Sequence, residues 1–154
     1  MEDKDFIMIS GARVSFPHLF KPPVINGEEG KCGAVLMLDP KKHAKVIEQI
    51  EGGIDELSKF KFKGRKLPSD KLCLRDGDDK GRPEYEGYMV LSVNNRSRPI
   101  VLRGDGKTKI EEEADSPIYA GCHVNAKVRL WAQDNKYGKR INGELVAIQF
   151  HSDG

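Results

Sequence analysis

The chain has 154 residues, a length that one domain with a core of its own accounts for. Its composition, 38% hydrophobic and 32% charged, is typical of a globular protein and excludes a chain that is disordered throughout. The formal net charge of +2 excludes a polycation of the histone type. Within residues 61–110, however, Lys and Arg outnumber Asp and Glu by 13 to 7, and a local basic zone of this kind favours reversible binding to a polyanion. We expect a single domain over residues 1–154.

The cysteines and the lack of a long apolar run indicate the compartment. Cys32, Cys73 and Cys122 are odd in number and form no C-x-x-C pair, which argues against a disulfide framework or a zinc knuckle. The first ten residues lack an apolar run of signal-peptide length, and no stretch approaches the roughly 20 apolar residues that span a bilayer. The pattern predicts a soluble, intracellular protein without a membrane partner.

The N-terminal third predicts two strands and a helix. Residues 5–16 alternate as a first strand, and the two phenylalanines of the proline-rich segment that follows, Phe16 and Phe20, are interpreted as anchors of a loop to the core. Residues 31–38 predict a second strand with its even-numbered side chains on one face. Asp39-Pro40 is typical of a helix N-terminus, and apolar residues at helical spacing predict an amphipathic helix over about residues 40–60. The glycine pair at 52–53 inside this helix predicts a bend or a close contact.

Residues 61–86 predict a charged loop, whose acidic cluster is the main alternative to a binding function. Asp76, Asp78, Asp79 and Glu84 are residue types that bind cations, but the spacing of an EF-hand is absent. A two-metal nuclease needs carboxylates fixed on several rigid elements, which one glycine-rich loop does not supply. We interpret the cluster as a solvated turn, predict no metal site, and keep a metal-dependent nuclease built on the Asp76–Glu84 loop as the lesser alternative.

The C-terminal half predicts four more strands. Residues 88–95 place Met89, Leu91 and Val93 inward and Tyr88 outward, and a short strand then ends at Arg103. Residues 122–140 begin with a strand whose even-numbered side chains from Val124 to Ala132 face a core, while Lys127, Arg129 and Trp131 face outward. The segment that follows is turn-like and presents Tyr137, Lys139 and Arg140. The last strand, residues 143–151, is predicted to set Leu145, Ala147 and Gln149 against Val146, Ile148 and Phe150.

Two strands with an apolar inner face and with cations and aromatic rings outside are typical of proteins that hold a flexible nucleic acid strand. Positive charges follow the phosphates, and rings stack on the bases. A mainly β chain with one amphipathic helix and long loops indicates a Greek-key barrel with the helix covering one end. The OB-fold is a barrel of this kind that binds oligonucleotides, although other small barrels share the pattern.

Several motifs resemble those of a known family. RVSFPHLFKP at 13–22, LRDGD at 74–78, PEYEGY at 83–88, NRSRP at 95–99 and YAGCHVNA at 119–126 occur in this order. Together they resemble small tailed-phage proteins, formerly a domain of unknown function and now regarded as phage single-stranded-DNA-binding proteins with an OB fold. The resemblance spans about residues 12–150. Its motif positions include Arg13, Phe16, Phe20, Arg96, Arg98, Pro99, Tyr119 and Gly121, and it leaves open which of these contact DNA and which hold the barrel.

The resemblance implies sequence-independent binding of single-stranded DNA in phage replication, recombination or repair, in the cytoplasm of the infected bacterial host. It implies neither catalysis nor a cofactor. Proteins of this class usually end in a flexible acidic tail that recruits replication or recombination enzymes, whereas this sequence ends at FHSDG, directly after the last predicted strand. Homo-oligomerisation is a further partner expectation.

The predicted DNA-binding residues combine the outward-facing cations and rings. We expect the cations to line a basic groove and the rings to stack on bases; they are Lys127, Arg129, Arg96, Arg98, Arg103, Lys139, Arg140, Trp131, Tyr88, Tyr119 and Tyr137. The main competing function is a non-catalytic protein-interaction or assembly module whose sheet face binds another protein.

Overall fold

The structure, a computed structural model, describes residues 6–136 and 138–154, without the side chains of Ile25, Glu29 and Lys80. It contains one long helix, α1 (Ala44–Lys61), among its described residues. The strands are β1 (Phe6–His18), β2 (Val24–Ile25), β3 (Glu28–Glu29), β4 (Cys32–Leu38), β5 (Leu74–Asp76), β6 (Met89–Asn95), β7 (Ile100–Leu102), β8 (His123–Asn135) and β9 (Gly138–Ser152). No helix in this part of the chain is both long and apolar enough to cross a membrane.

Five of the strands close into a barrel. The hydrogen-bonded order is β6-β4-β1-β8-β9, and β9 returns to β6 through a parallel pairing of Val93 with Gly143 and of Asn94 with Glu144. Closure removes the open edges of the sheet, and the strand order is that of a Greek-key barrel. β5 extends the barrel wall beside β6, and β7 extends it beside β9. The prediction of a mainly β, OB-fold-like barrel is therefore confirmed.

The barrel interior holds the core that the alternation predicted for β4 and β8. Leu36, Val124 and Val128 are fully buried, and they pack with the inner residues of β1, β6 and β9. Helix α1 packs against the same core through one stripe, Ile47, Ile50 and Ile54. The helix contacts β1, β8 and β9 of the barrel, and the apolar stripe through which it packs repeats at helical spacing, as expected.

The close contact predicted at the glycine pair occurs at Gly53. A Cβ atom added at Gly53 would lie 2.8 Å from Cδ1 of Leu130 on β8, whereas nothing lies within 4 Å of one at Gly52. Gly53 therefore lets α1 approach β8 closely, and Gly52 has no such function in the packing.

The predicted start of α1 was wrong by four residues. The helix begins at Ala44, and the residue at its N-cap, His43, makes no side-chain capping bond. Asp39 instead organises a turn ahead of the helix: its carboxylate accepts a hydrogen bond from the Lys41 amide at 2.8 Å, and its carbonyl accepts one from the His43 amide at 2.8 Å. The Asp-Pro pair therefore forms a turn over residues 39–43, and the first turn of α1 begins after it.

The predicted last strand was wrong in its start and in part of its faces. β9 begins at Gly138, because β8 and β9 form an antiparallel hairpin in which Gly138 pairs with Asn135. Leu145 and Ile148 are both buried, although the predicted alternation placed them on opposite faces. Val128 pairs with Leu145 but Lys127 pairs with Ala147, so β9 carries one extra residue at this point. A bulge of this kind resets the alternation.

The segment predicted to be a loop over residues 61–86 contains β5 and three short 3₁₀ turns, at residues 69–71, 77–80 and 83–85. Tyr85 in the last turn is only 1% exposed, and it packs with Met37 and Val90 on the outer side of β4 and β6. Met37, predicted to face away from the core, is buried for this reason. The segment is a folded cover over part of the barrel's outer face.

Candidate nucleic-acid interface

The first group of predicted residues lies on the outer face of β8. Lys127, Arg129 and Trp131 occupy every second position of β8 and are each half-buried, while Val128 between the first two is buried and Leu130 between the last two is partly buried. Across the hairpin, Trp131 pairs with Asn142 and Arg129 pairs with Glu144. The structure therefore brings these three predicted side chains together along one strand.

Arg129 is neutralised by an acid on the neighbouring strand. Its Nη2 and Nε donate to Oε2 of Glu144 at 2.6 and 3.0 Å. The two side chains are 31% and 28% exposed, so water screens the pair only in part. A guanidinium held in this way has little net charge to offer a phosphate.

Lys127 lies over an aromatic ring of β1. Its Nζ is 4.2 Å from the centroid of Phe6, which is a cation–π geometry. The residue paired with Lys127 on β1, Met8, is 65% exposed. Lys127 thus has no acidic partner among the described residues and stands beside an apolar surface.

The hairpin end of the barrel carries a cluster of cations next to the end of α1. Nζ of Lys139 lies 5.9 Å from the centroid of Phe62. An open cavity of about 700 Å³ lies here, and its charged lining residues are Lys61, Lys63, Arg65, Lys139 and Asp134. Arg140, paired with Gln133, is half-buried nearby on β9. The predicted residue Tyr137 lies outside the described residues.

A second group lies where β6 ends. Asn95 fixes the turn, since its amide donates to the Leu145 carbonyl at 2.9 Å and its oxygen accepts from the Ser97 amide at 3.0 Å. Arg96 is exposed, and within the described part of the chain its side chain makes no hydrogen bond or ion pair. Arg98 stacks on Phe20 at 5.0 Å and donates to the Glu111 carbonyl. Arg96 is therefore the more available cation of the two.

Tyr88 faces outward, as predicted, but it is not open to solvent. Its half-buried ring packs against the cluster of Met37, Tyr85 and Val90. Its backbone is also fixed, because the Tyr88 amide donates to the Tyr85 carbonyl at 3.1 Å. Much of the ring's surface is thus used inside the protein.

Arg103 and Tyr119 lie far from the hairpin. Arg103 follows β7, whose last residue pairs with Gln149, seven residues along β9 from the partner of Trp131. At about 3.3 Å per residue this is a separation of roughly 23 Å along the strand. Arg103 also donates to the Asp115 carbonyl at 3.1 Å.

The Tyr119 hydroxyl is hydrogen-bonded to Asp153 and Gly154, after the end of β9. The hydroxyl donates to Oδ1 of Asp153 at 2.8 Å, and this hydrogen bond to a carboxylate raises the pKa of Tyr119 above its ordinary value. The Gly154 amide donates to the same hydroxyl at 3.2 Å. The Tyr119 hydroxyl is therefore bonded within the protein, and the single groove predicted for the cations and rings stays a prediction.

Sequence reasoning missed one aromatic–cation pair. Phe16, interpreted as an anchor to the core, is 43% exposed, whereas Phe20 does pack on the core as expected. The Arg82 guanidinium lies 4.5 Å from the centroid of the Phe16 ring. The RVSFPHLFKP motif was the one available signal for Phe16, and no sequence pattern pointed to Arg82.

The acidic residues of the 76–84 segment serve the local backbone. Oδ1 of Asp76 accepts from the Asp78 amide at 2.9 Å, and Oδ1 of Asp78 accepts from the Gly87 amide at 2.9 Å. Within the described residues no three His, Cys, Asp or Glu side chains are grouped so that they could hold a metal ion. The hydrogen bonds suit a turn that acidic side chains stabilise.

The comparisons with known proteins agree on one family. A family model described as "Enterobacter phage Enc34, ssDNA-binding protein" matches residues 6–154. A putative protein p50 of Acyrthosiphon pisum secondary endosymbiont phage 1 is 33% identical over 157 residues, which cover 96% of this chain and 84% of that protein.

Solved structures also match nearly the whole chain. The single-stranded DNA-binding protein from bacteriophage Enc34 in complex with ssDNA matches with a TM-score of 0.88 and 34% identity, over 99% of this chain and 89% of that chain. A single-stranded DNA binding protein encoded by bacteriophage T7 matches with a TM-score of 0.62 over 99% of this chain and 94% of that chain; at 15% identity it supports the fold alone. Since the family model and the similar sequences cover nearly the whole chain, the protein belongs to the Enc34 family of phage ssDNA-binding proteins.

Proposed function

We propose that the protein binds single-stranded DNA without sequence preference, and that it coats and protects the strand during phage replication, recombination or repair. The observation that carries the proposal is the match of the whole barrel to a family member solved with ssDNA, at a TM-score of 0.88. The site is the outer surface of the barrel, where the described residues present cations and rings and no grouped set of metal ligands. Catalysis is no part of the proposal.

Within this proposal we expect a side chain to contribute most to DNA binding when no other group of the protein already pairs with it. Arg96 and Lys127 have no acidic partner among the described residues, so they are the strongest candidates for phosphate contacts. Arg129 is neutralised by Glu144 and Tyr119 is bonded to Asp153, so we expect less from either. The remaining candidates, with intermediate availability, are Arg98, Arg103, Lys139, Arg140 and Tyr88.

Trp131 is the strongest candidate for stacking on a base. It is half-buried, faces outward on β8 and lies one pleat beyond Arg129. A stacked base contributes about 1–3 kcal/mol and does so for any base, which is why stacking suits binding without sequence preference. Tyr137, predicted from the sequence, is part of the same proposal.

The biological setting follows from the family. We propose that the protein acts in the cytoplasm of the infected bacterial host, where phage DNA becomes single-stranded. Self-association and recruitment of replication or recombination proteins through an acidic tail remain predictions from the family resemblance.

Fluorescence anisotropy tests the proposal directly. The protein is titrated into a labelled oligo-dT and, separately, into a labelled duplex of the same length, at salt concentrations from about 50 to 300 mM. We expect binding to oligo-dT whose affinity falls as salt rises, because bound cations release counterions from the phosphates. Absence of oligo-dT binding at the lowest salt concentration would contradict the proposal and favour a protein-interaction module. Loss of full-length oligonucleotide in the presence of Mg²⁺ would contradict a purely binding function and favour the nuclease alternative.

A further inference from the structure

Phe16 adopts a backbone conformation that bulky residues rarely accept. Its φ is 50°, in the left-handed region, where a Cβ-bearing aromatic residue is strained. The strain sits at an irregularity in β1, because the pairing register with β4 shifts between Ser15 and His18. A strained residue persists only where its surroundings hold it in place.

The strain directs an aromatic ring to the surface. Phe16 is 43% exposed and is not part of either apolar cluster of the described residues, whereas Leu19, three residues on, is 3% exposed. A phenylalanine that only anchored the chain would gain by being buried. The exposed ring lies next to the 83–85 turn, because the guanidinium of Arg82, the residue before that turn, is 4.5 Å from the ring centroid.

Arg82 covers this ring without being fixed there. Its guanidinium lies 4.5 Å from the ring centroid, and its second contact is a 3.4 Å ion pair with Glu84 in which the two side chains are 51% and 50% exposed. Exposed cation–π contacts and exposed ion pairs are both weak. The backbone carrying Arg82 is held, however, since Tyr85 is buried and its hydroxyl donates to Oγ of Ser15 at 3.1 Å. The guanidinium can leave the ring while its backbone stays beside it.

We propose that Phe16 is a base-stacking position and that Arg82 covers it in the DNA-free protein, a proposal that rests on the ssDNA-binding function above. A nucleobase and a guanidinium are both planar and stack on aromatic faces, so the two compete for the same ring. When a base stacks on Phe16 it displaces the guanidinium, which then pairs with a nearby phosphate. One nucleotide thus gains a stacking contact from Phe16 on β1 and an ionic contact from Arg82.

The neighbouring pair shows why Phe16 is singled out. Phe20 also carries a guanidinium, that of Arg98, at 5.0 Å. Phe20 packs against the core, however, and Arg98 is tied to the Glu111 carbonyl, so that pair is a structural contact. Only Phe16 combines exposure, backbone strain and a loosely held cation among the described phenylalanines.

The test uses Phe16→Gly, because glycine accepts the left-handed conformation without strain. If the ring served the fold, this variant would lower the melting temperature. We expect the melting temperature to be kept, while affinity for oligo-dT falls about 5- to 150-fold, the equivalent of one stacked base. Phe60→Ala is the ring-deletion control, since Phe60 is a 72% exposed ring on α1 that lines a cavity with Arg129. We expect a smaller loss of affinity than in Phe16→Gly, and an equal loss would overturn the assignment to Phe16.

Two further measurements separate base stacking from phosphate binding. On an abasic oligonucleotide, which keeps the phosphates but has no bases, Phe16→Gly should bind like the wild type. Arg82→Gln should make the slope of log affinity against log salt shallower by about 0.7, the value of one phosphate contact on a single strand. Wild-type affinity of Phe16→Gly for oligo-dT, or an equal loss on abasic DNA, would overturn the stacking position. Failure of the wild type to bind oligo-dT would instead overturn the proposed function itself.

Discussion

The sequence predicts that Arg96 and Arg129 both contact DNA, but the structure leads us to expect a strong contribution to binding from Arg96 and a weak one from Arg129. Arg96 is exposed and has no partner in the described part of the chain, whereas Arg129 is bonded twice to Glu144. We expect Arg96→Gln to weaken DNA binding. We expect the double variant Arg129→Gln, Glu144→Gln to leave binding nearly unchanged, because it removes one charge of each sign.

The size of the effect follows from counterion release. Arg129 and Arg98 are left out because internal partners hold both, and Arg82 is included as proposed above. Six candidate phosphate contacts then remain: Lys127, Arg96, Arg82, Arg103, Lys139 and Arg140. At about −0.7 per contact on a single strand, six contacts give a log–log salt slope of about −4.2, equivalent to a roughly 300-fold loss of affinity between 50 and 200 mM salt. Removing Arg96 should reduce the slope to about −3.5 and weaken binding about 5-fold at 0.1 M salt.

The single variant Glu144→Gln sharpens the comparison. It releases the Arg129 guanidinium from its acidic partner and should steepen the slope by about 0.7, to roughly −4.9. Anisotropy titrations with oligo-dT at five salt concentrations measure each slope, and a thermal melt checks that each variant is folded. Equal slope changes for Arg96→Gln and for the double variant would refute the reasoning that internal pairing decides which cations contact DNA. An unchanged slope in Glu144→Gln would refute it as well.

Three other expectations concern the fluorescence, packing and titration of named residues. Trp131 is the single tryptophan, so oligo-dT should quench its emission if it stacks; unquenched emission, with full binding by Trp131→Ala, would remove it from the interface. Gly33→Ala should lower the melting temperature by roughly 10 °C, because the new Cβ atom would lie 2.3 Å from the Val93 carbonyl oxygen. Overpacking of this kind costs about 3 kcal/mol, which corresponds to that change in melting temperature for a chain of this size. Gly52→Ala, with open space at its Cβ and a better helix former, should raise it by a few degrees, and the opposite order of the two variants would contradict the packing. Burial raises the pKa of the Cys73 thiol to about 11, whereas in the unfolded chain the pKa of a thiol is about 8.5. The neutral Cys73 thiol therefore contributes fully to the free energy of unfolding below about pH 8.5, and this contribution is lost as pH rises through about 11. Urea unfolding at pH 7.5 and 10.5 should show a loss that Cys73→Ala lacks; the same loss in both proteins would assign it to other groups.

The parts of the fold that the sequence predicted are those governed by local alternation. In β8 the residues from Val124 to Val128 bury one face against the barrel core, so every second residue is apolar and the strand can be read without knowing its partner. β4 is a continuous apolar run that is buried on both faces, and such a run also predicts a strand. The bulge in β9 could not be read, because it depends on how Lys127 and Val128 pair with the opposite strand. The late start of α1 was hidden for a related reason: an Asp-Pro pair closes a turn as well as it begins a helix.

The interface was predictable in kind but not in detail. The outward positions of Lys127, Arg129 and Trp131 follow from the alternation of β8, and the structure places them there. Their partners come from other strands, as Glu144 and Phe6 do, and a single sequence contains no record of that pairing. Phe16 was misread because a phenylalanine beside a proline is usually a packing residue. Its exposure depends on a left-handed φ that its residue type does not predict.

A net charge of only +2 is compatible with binding a polyanion because of how the acidic residues are used. The Asp39, Asp76 and Asp78 carboxylates accept hydrogen bonds from backbone amides in turns. Asp105 does the same and also accepts from the Thr108 hydroxyl, and these bonds lower its pKa to about 2. A carboxylate committed to a turn cannot swing across to pair with an arginine. Its charge is also screened within a Debye length of about 8–10 Å at moderate salt. Cations such as Arg96 therefore stay available to phosphates, whereas Arg129 and Arg82 have glutamate partners among the described residues, Glu144 on β9 and the exposed Glu84.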